Sequence, residues 1–163
     1  MRFIQRLEAA LQPKIPTTLY HGSSAEFSEL KPNEHGIIWL TDDPEAAKKY
    51  ASKYAKRKSE RLLTVRITKT TPKVVDMRDS SDPLVAEYKK QLEMDMGMGI
   101  NYKIPDNQWA DKAGYFLLEK YGIDALKEHS VDIVLIKDAA GAYDHMSYAI
   151  LNPKILKVQD EHS

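Results

Sequence analysis

Short apolar or alternating runs at 19–21, 37–41, 61–68, 73–77 and 131–137 predict strands, because side chains on an extended backbone point to opposite faces in turn. Stretches with apolar residues three and four apart predict helices over 2–11, 44–58, 83–94 and 106–121. Strands fall at both ends of the chain with helices inserted between them, which predicts an α+β arrangement and not regular βαβ alternation. No repeat and no linker interrupts the pattern, so residues 1–163 are read as a single domain with a short N-terminal helix over about 2–11, ended by Pro13 and Pro16.

A strand, a sharp turn and a helix start all fall within the first 50 residues. Alternation puts Leu19 and His21 on one face of the first strand and Tyr20 on the other. Gly22 directly follows, predicting a turn and a place where a flat ligand reaches main-chain N–H and C=O groups without meeting a Cβ. Thr41-Asp42-Asp43-Pro44-Glu45 reads as a helix start: a capping side chain, Pro in the first turn, and acids against the positive end of the dipole. The helix beginning there turns Ala46, Ala47, Tyr50, Ala51 and Tyr54 inward, and Lys48, Lys49, Lys53, Lys56, Arg57 and Lys58 outward. Further along, Met96-Gly97-Met98-Gly99 predicts a loop, and Gly122 predicts the stop of the helix begun at Asp106.

Composition narrows the chemistry. With 24 basic and 24 acidic residues among 163, the net charge is zero, and no global field draws nucleic acid or an acidic membrane. The chain has no cysteine, which removes disulfides, zinc–thiolate sites and thiol nucleophiles and fits a reducing compartment. Five scattered histidines lack metal-ligand spacing, so no metal is expected. The first eleven residues intersperse charges among apolar positions, unlike a signal peptide, and no apolar run is long enough to span a bilayer. Together these features predict a cytoplasmic protein that does not engage a membrane. Neither a Gly-x-Gly-x-x-Gly run after a strand nor a Walker-type Gly-Lys-Ser/Thr occurs. A triad of His21, a serine and Asp144 has no Gly-x-Ser-x-Gly elbow to support it.

The run Tyr20-His21-Gly22-Ser23, then Phe27, then Gly36-Ile37-Ile38-Trp39-Leu40-Thr41-Asp42-Asp43-Pro44 leading to Tyr50, resembles the diphtheria-toxin-like, His-Tyr-Glu branch of the ADP-ribosyltransferases. This branch includes the poly(ADP-ribose) polymerases and small domains of phage and bacterial polyvalent proteins. Ser147-Tyr148-Ala149-Ile150-Leu151-Asn152-Pro153 is similar to the family's closing Glu-Tyr-Val-Val-Phe-Asp-Pro block. The resemblance covers about 19–55 and 131–157, and implies a split β-sandwich with helices inserted between strands.

It also implies NAD as ADP-ribose donor. His21 would hold the adenine-side ribose, the Gly22 main chain would grip the nicotinamide amide, and Trp39 and Tyr50 would sandwich the ring, with Ser23 and Thr41 lining the same NAD site. Two positions depart from the family pattern. Trp39 stands where the family has Tyr, keeping a π face but only donating hydrogen bonds. Ser147 stands at the catalytic Glu position, where a carboxylate would stabilise an oxocarbenium-like transition state. Asp144 and His145, upstream in the expected loop, are the substitutes. The implied activity is cleavage of the nicotinamide–ribose bond, with transfer to a macromolecular acceptor, protein or nucleic acid, near 138–147. The alternatives are a catalytically degenerate NAD-cleft binding module and an interaction module using the basic 48–58 face.

Overall fold

The computed structural model describes residues 13–23, 30–54, 61–97, 101–112, 122–138 and 145–162. The expected N-terminal helix, Phe27, Asp144 and most of the 138–147 turn lie outside the described residues.

Among the described residues seven strands form one sheet: β1 (Thr18–Ser23), β2 (Ile38–Thr41), β3 (Arg61–Ile67), β4 (Val74–Asp76), β5 (Ile133–Asp138), β6 (His145–Ile150) and β7 (Leu156–His162). Their order across the sheet is β4-β5-β6-β2-β1-β3-β7. Only the β4/β5 pair is parallel; the other neighbours are antiparallel. Four helices accompany them: α1 (Pro44–Tyr54), α2 (Pro83–Gly97), α3 (Asp106–Lys112) and α4 (Ile123–Glu128). The fold is therefore α+β, as the element pattern predicts.

Alternation along the strands divides the core by face. Val134, Ile136 and Ala149 point to one side, where they meet Val85, Tyr88 and Leu92 of α2, Trp109 of α3, and Ile123 and Leu126 of α4. Leu19, Leu40, Leu63, Val65, Leu135, Tyr148 and Ile150 point to the other and pack together with Ile155. Trp109 is fully buried, and its indole N–H donates to the Met77 carbonyl at 2.7 Å, which satisfies its one polar atom. Fully burying a side chain such as Val85 or Leu92 stabilises the fold by about 1.5–3 kcal/mol.

The start of α1 follows the sequence signal. The Asp43 carboxylate accepts from Glu45 N at 2.9 Å, Thr41 Oγ1 accepts from Asp43 N at 3.2 Å, and Pro44 takes the first helical position. Ala46, Ala47 and Ala51 are buried on its inner side.

Several local expectations change. Gly22 makes no turn: β1 continues through it to Ser23, with Gly22 opposite Leu62 of β3. Its lack of a side chain is used for packing, since a Cβ there would lie 1.8 Å from the Ala47 carbonyl oxygen of α1. Helix α2 runs on to Gly97, so Met96 and Gly97 are helical and not loop residues. Gly122 is the N-cap of the helix that follows it, α4, while the end of the helix begun at Asp106 lies outside the described residues.

A buried carboxylate ties the C-terminal strands to the β3–β4 connection. Asp132 accepts from Lys69 Nζ at 2.6 Å, from the Lys73 amide at 2.7 Å and from Asn152 Nδ2 at 2.8 Å, while its own carbonyl accepts from the Leu151 amide. Burial alone would raise the Asp132 carboxyl, but these bonds from Lys69, Asn152 and Lys73 outweigh it and hold the group below the ordinary carboxylate range.

Candidate functional site

The narrowest joint of the sheet lies between β1 and β2. A single register pair, Tyr20 with Thr41, links them, whereas β1 and β3 share six. Antiparallel geometry places His21 next to Leu40 and Gly22 next to Trp39, but the ladder does not extend to them. His21 closes the gap with its side chain instead: Nδ1 lies 2.8 Å from the Trp39 carbonyl oxygen.

That contact fixes the imidazole. A carbonyl oxygen only accepts, so the proton sits on Nδ1, and in the neutral ring Nε2 is left as an acceptor. Burial lowers the His21 pKa below its ordinary 6.5, against the smaller upward effect of the Trp39 bond. At neutral pH the ring is therefore uncharged. No described residue pairs with Nε2.

On the face that carries Trp39, a row of polar side chains crosses the neighbouring strands. Thr41 of β2 pairs in register with Ser147 of β6, and Ser147 with Ile136 of β5. Both Thr41 and Ser147 are buried. His145, two residues before Ser147, shares its face by alternation. It is not in a loop, as the sequence suggests, but is the first residue of β6, buried and paired with Asp138. Its ring meets Tyr50 from α1 edge-on, with centroids 5.7 Å apart at 71° and the Tyr50 hydroxyl 3.3 Å from Nε2. Residues separated by 95 positions in sequence are thus adjacent.

Each expected site residue can now be placed. Trp39 is half-buried against the helix-covered core, next to Ala149 in register. Thr41, Ser147, His145 and Tyr50 gather on its side of the sheet. Ser23 ends β1 opposite Arg61 of β3. His21 shares the face of Leu19, so its link to Trp39 runs through the main-chain carbonyl. Gly22 lies under α1, where the close helix explains the glycine without a ligand. Asp144 lies outside the described residues.

Two polar residues that the sequence reading passed over sit on the opposite face. The Tyr148 hydroxyl donates to Asp42 Oδ2 at 3.3 Å, and burial first, then the Asp42 charge, pushes the phenol up to about 12. Arg78 pairs with Asp76 nearby through Nε and Nη2, the latter at 2.7 Å from the carboxylate. Strict alternation was the available signal: it sends Tyr148 away from Ser147 and Asp42 to the side of Leu40.

No protein-family model matches the chain, and no curated protein matches it. Among the described residues no group of three or more His, Cys, Asp or Glu is placed to hold a metal ion. No described helix is long and apolar enough to cross a membrane.

Proposed function

We propose that this chain is an NAD-dependent ADP-ribosyltransferase whose substrate cleft opens at the β1/β2 joint. The observation that carries the reading is the pairing of His21 Nδ1 with the Trp39 carbonyl where the β1/β2 ladder stops. It leaves an uncharged ring whose Nε2, without a partner among the described residues, can accept from a ribose hydroxyl, at the position the resemblance gives to ribose binding. The narrow joint between two halves of the sheet also agrees with the split that the resemblance implies.

NAD supplies a glycosidic bond with a good leaving group. The chain's residues bind and orient it through the open joint from both faces of the sheet: on the Leu19 face His21 accepts from the distal ribose, and on the other Tyr50 and Trp39 present aromatic faces to nicotinamide while Thr41 and Ser147 offer hydroxyls. The C1′–nitrogen bond breaks, its electron pair leaves with nicotinamide, and an acceptor nucleophile bonds to C1′ as its proton is lost. Positive character at C1′ grows during this step, as in glycoside chemistry generally. Holding donor and acceptor in one geometry supplies much of the acceleration.

A second reading, a binding module that retains the NAD cleft without turnover, is favoured by one specific observation. Ser147 is buried in the ladder between Thr41 and Ile136 and brings no charge to the developing cation. Incubating the chain with NAD labelled in both halves separates the readings. Release of free nicotinamide with label transfer to a cell extract supports the transferase. Binding by calorimetry without release supports the module. Ser147→Glu should raise nicotinamide release if the cleft is intact; neither binding nor release in parent or variant removes support from both.

A further inference from the structure

At the other end of β1 and β3 from His21, the chain forms a second concavity. Residues 13–17, the end of β3 and the β3–β4 connection enclose a groove of about 470 Å³. This lies within the roughly 300–1,000 Å³ range of small-molecule sites. Pro13, Pro16 and Pro72 stiffen its walls, each with a fixed φ, so its shape costs little entropy to hold. Ile15, Ile67 and Val74 give it an apolar side.

The polar side is cationic. Lys14 and Arg66 both line the groove, and neither has an ion-pair or hydrogen-bond partner for its charged group among the described residues. Lys69 also lines it but is held by Asp132 at 2.6 Å. Thr68 is similarly engaged, donating to the Ile155 carbonyl at 2.9 Å. Thr70 and Thr71 complete this wall, their hydroxyls without a partner among the described residues. Asp132 spends its charge on Lys69, the Lys73 amide and Asn152, so it does not neutralise Lys14 or Arg66.

We propose that this groove binds a phosphorylated small molecule of nucleotide size. Its phosphate is held by Lys14, Arg66 and the Thr70 and Thr71 hydroxyls, and its apolar or aromatic body lies on Ile15, Ile67 and Val74. A phosphate fits better than a carboxylate because two separate cations match its charge of about −1.5 to −2, where a carboxylate carries a single charge. A short groove with an apolar wall fits a discrete ligand better than a polynucleotide, which binds through an extended basic surface. The site is independent of the NAD cleft, since it lies at the opposite end of the same strands.

The test is calorimetric titration of the full chain with ADP and, separately, with inorganic phosphate. ADP should bind more tightly than phosphate, and added salt should weaken both. Arg66→Gln and Lys14→Gln should each weaken ADP binding by about 10-fold or more, the loss of one charge-assisted hydrogen bond. Both side chains are exposed, so each variant should melt like the parent. Because ADP also resembles part of NAD, His21→Gln and Tyr50→Ala serve as the second arm and should leave this site's affinity unchanged. ADP binding lost in those two variants but kept in Arg66→Gln would assign the ligand to the other cleft and overturn the proposal. No ADP binding near about 1 mM, the weak end of specific affinity, would do the same. A single-stranded oligonucleotide that binds tightly where ADP does not, with the same dependence on Lys14 and Arg66, would overturn it in favour of a nucleic-acid surface.

Discussion

Asp132 is buried and His21 half-buried, and they use their polar atoms in opposite ways. Asp132 receives three side-chain hydrogen bonds, one from an ammonium, and binds the last two strands to the β3–β4 connection. His21 uses one nitrogen to span the β1/β2 joint, and no described residue pairs with the other. A network with every member satisfied rigidifies a fold, while one with spare capacity is a place where a ligand completes the pairing. The difference separates a structural keystone from a candidate binding group without reference to residue type.

The sharpest way to break the comparison is to empty the keystone. Asp132→Ala leaves Lys69, the Lys73 amide and Asn152 without their acceptor, and should cost about 3 kcal/mol, the upper end for hydrogen bonds to a charged group, because the exposed Lys69 ammonium regains water. Urea denaturation measures it. The Asp132 carboxyl is depressed in the folded chain, so its contribution is present above the ordinary Asp range and is lost as pH falls through the lower folded value. The parent's stability should therefore fall with acid more steeply than that of Asp132→Ala. A variant that unfolds at the parent's midpoint would show that the network holds nothing together.

Next in size is the contact that seats α1 on β1. Gly22→Ala places a methyl group 1.8 Å from the Ala47 carbonyl oxygen, so strand or helix must move. Overpacking of this kind costs about 1–3 kcal/mol. The displaced helix carries Tyr50, so NAD affinity should fall along with the melting temperature. Full stability in Gly22→Ala would mean that α1 does not approach the strand this closely, and would return the glycine to a purely ligand-facing role.

Tyr50 tests the functional half of the comparison with little expected effect on stability. Tyr50→Ala removes an aromatic wall and the neighbour of His145, and should weaken NAD binding by about 1–3 kcal/mol if base–aromatic stacking is a fair guide. Tyr50→Phe keeps the ring and loses the hydroxyl's contact to His145 Nε2, so it should cost less. Equal calorimetric losses in the two variants would assign the effect to the hydroxyl and remove the stacking argument.

The strands and the start of α1 were legible because their signals are local. Alternation in 61–67 and the Thr41-Asp42-Asp43-Pro44 cap each specify structure within a few residues. Gly22 misled because a glycine signals an unusual backbone or a close neighbour, and the sequence does not say which. Gly22 answers to Ala47 of a helix more than twenty positions away. The polar row of Thr41, Ser147, His145 and Tyr50 depends on strand order, because β6 meets β2 across more than a hundred residues. The candidate groups were visible singly in the sequence, and their adjacency was not. The Asp132 network went unread for the same reason, since its partners come from 69, 73 and 152.

The smallest expected effect is the pH response of His21, and it sharpens the comparison most directly. Asp132 has a depressed pKa because its charge is well paired; His21 has one because burial disfavours its charge. The two signs of linkage can be worked out together. Between the lowered folded pKa of His21 and its ordinary 6.5, the unfolded chain binds more protons than the folded one, so stability falls as pH drops through that window and levels off below it. Each pKa unit of lowering corresponds to about 1.4 kcal/mol at most. His21→Gln should flatten this slope while leaving the Asp132 response at lower pH untouched. Ligand binding should follow the same proton: once Nε2 is protonated it donates and no longer accepts, so NAD affinity should weaken as pH falls through the folded value. An NMR titration placing the His21 pKa at or above 6.5 would mean that the ring is charged in the fold at mildly acidic pH, and that Nε2 is not the acceptor on which the ribose contact depends.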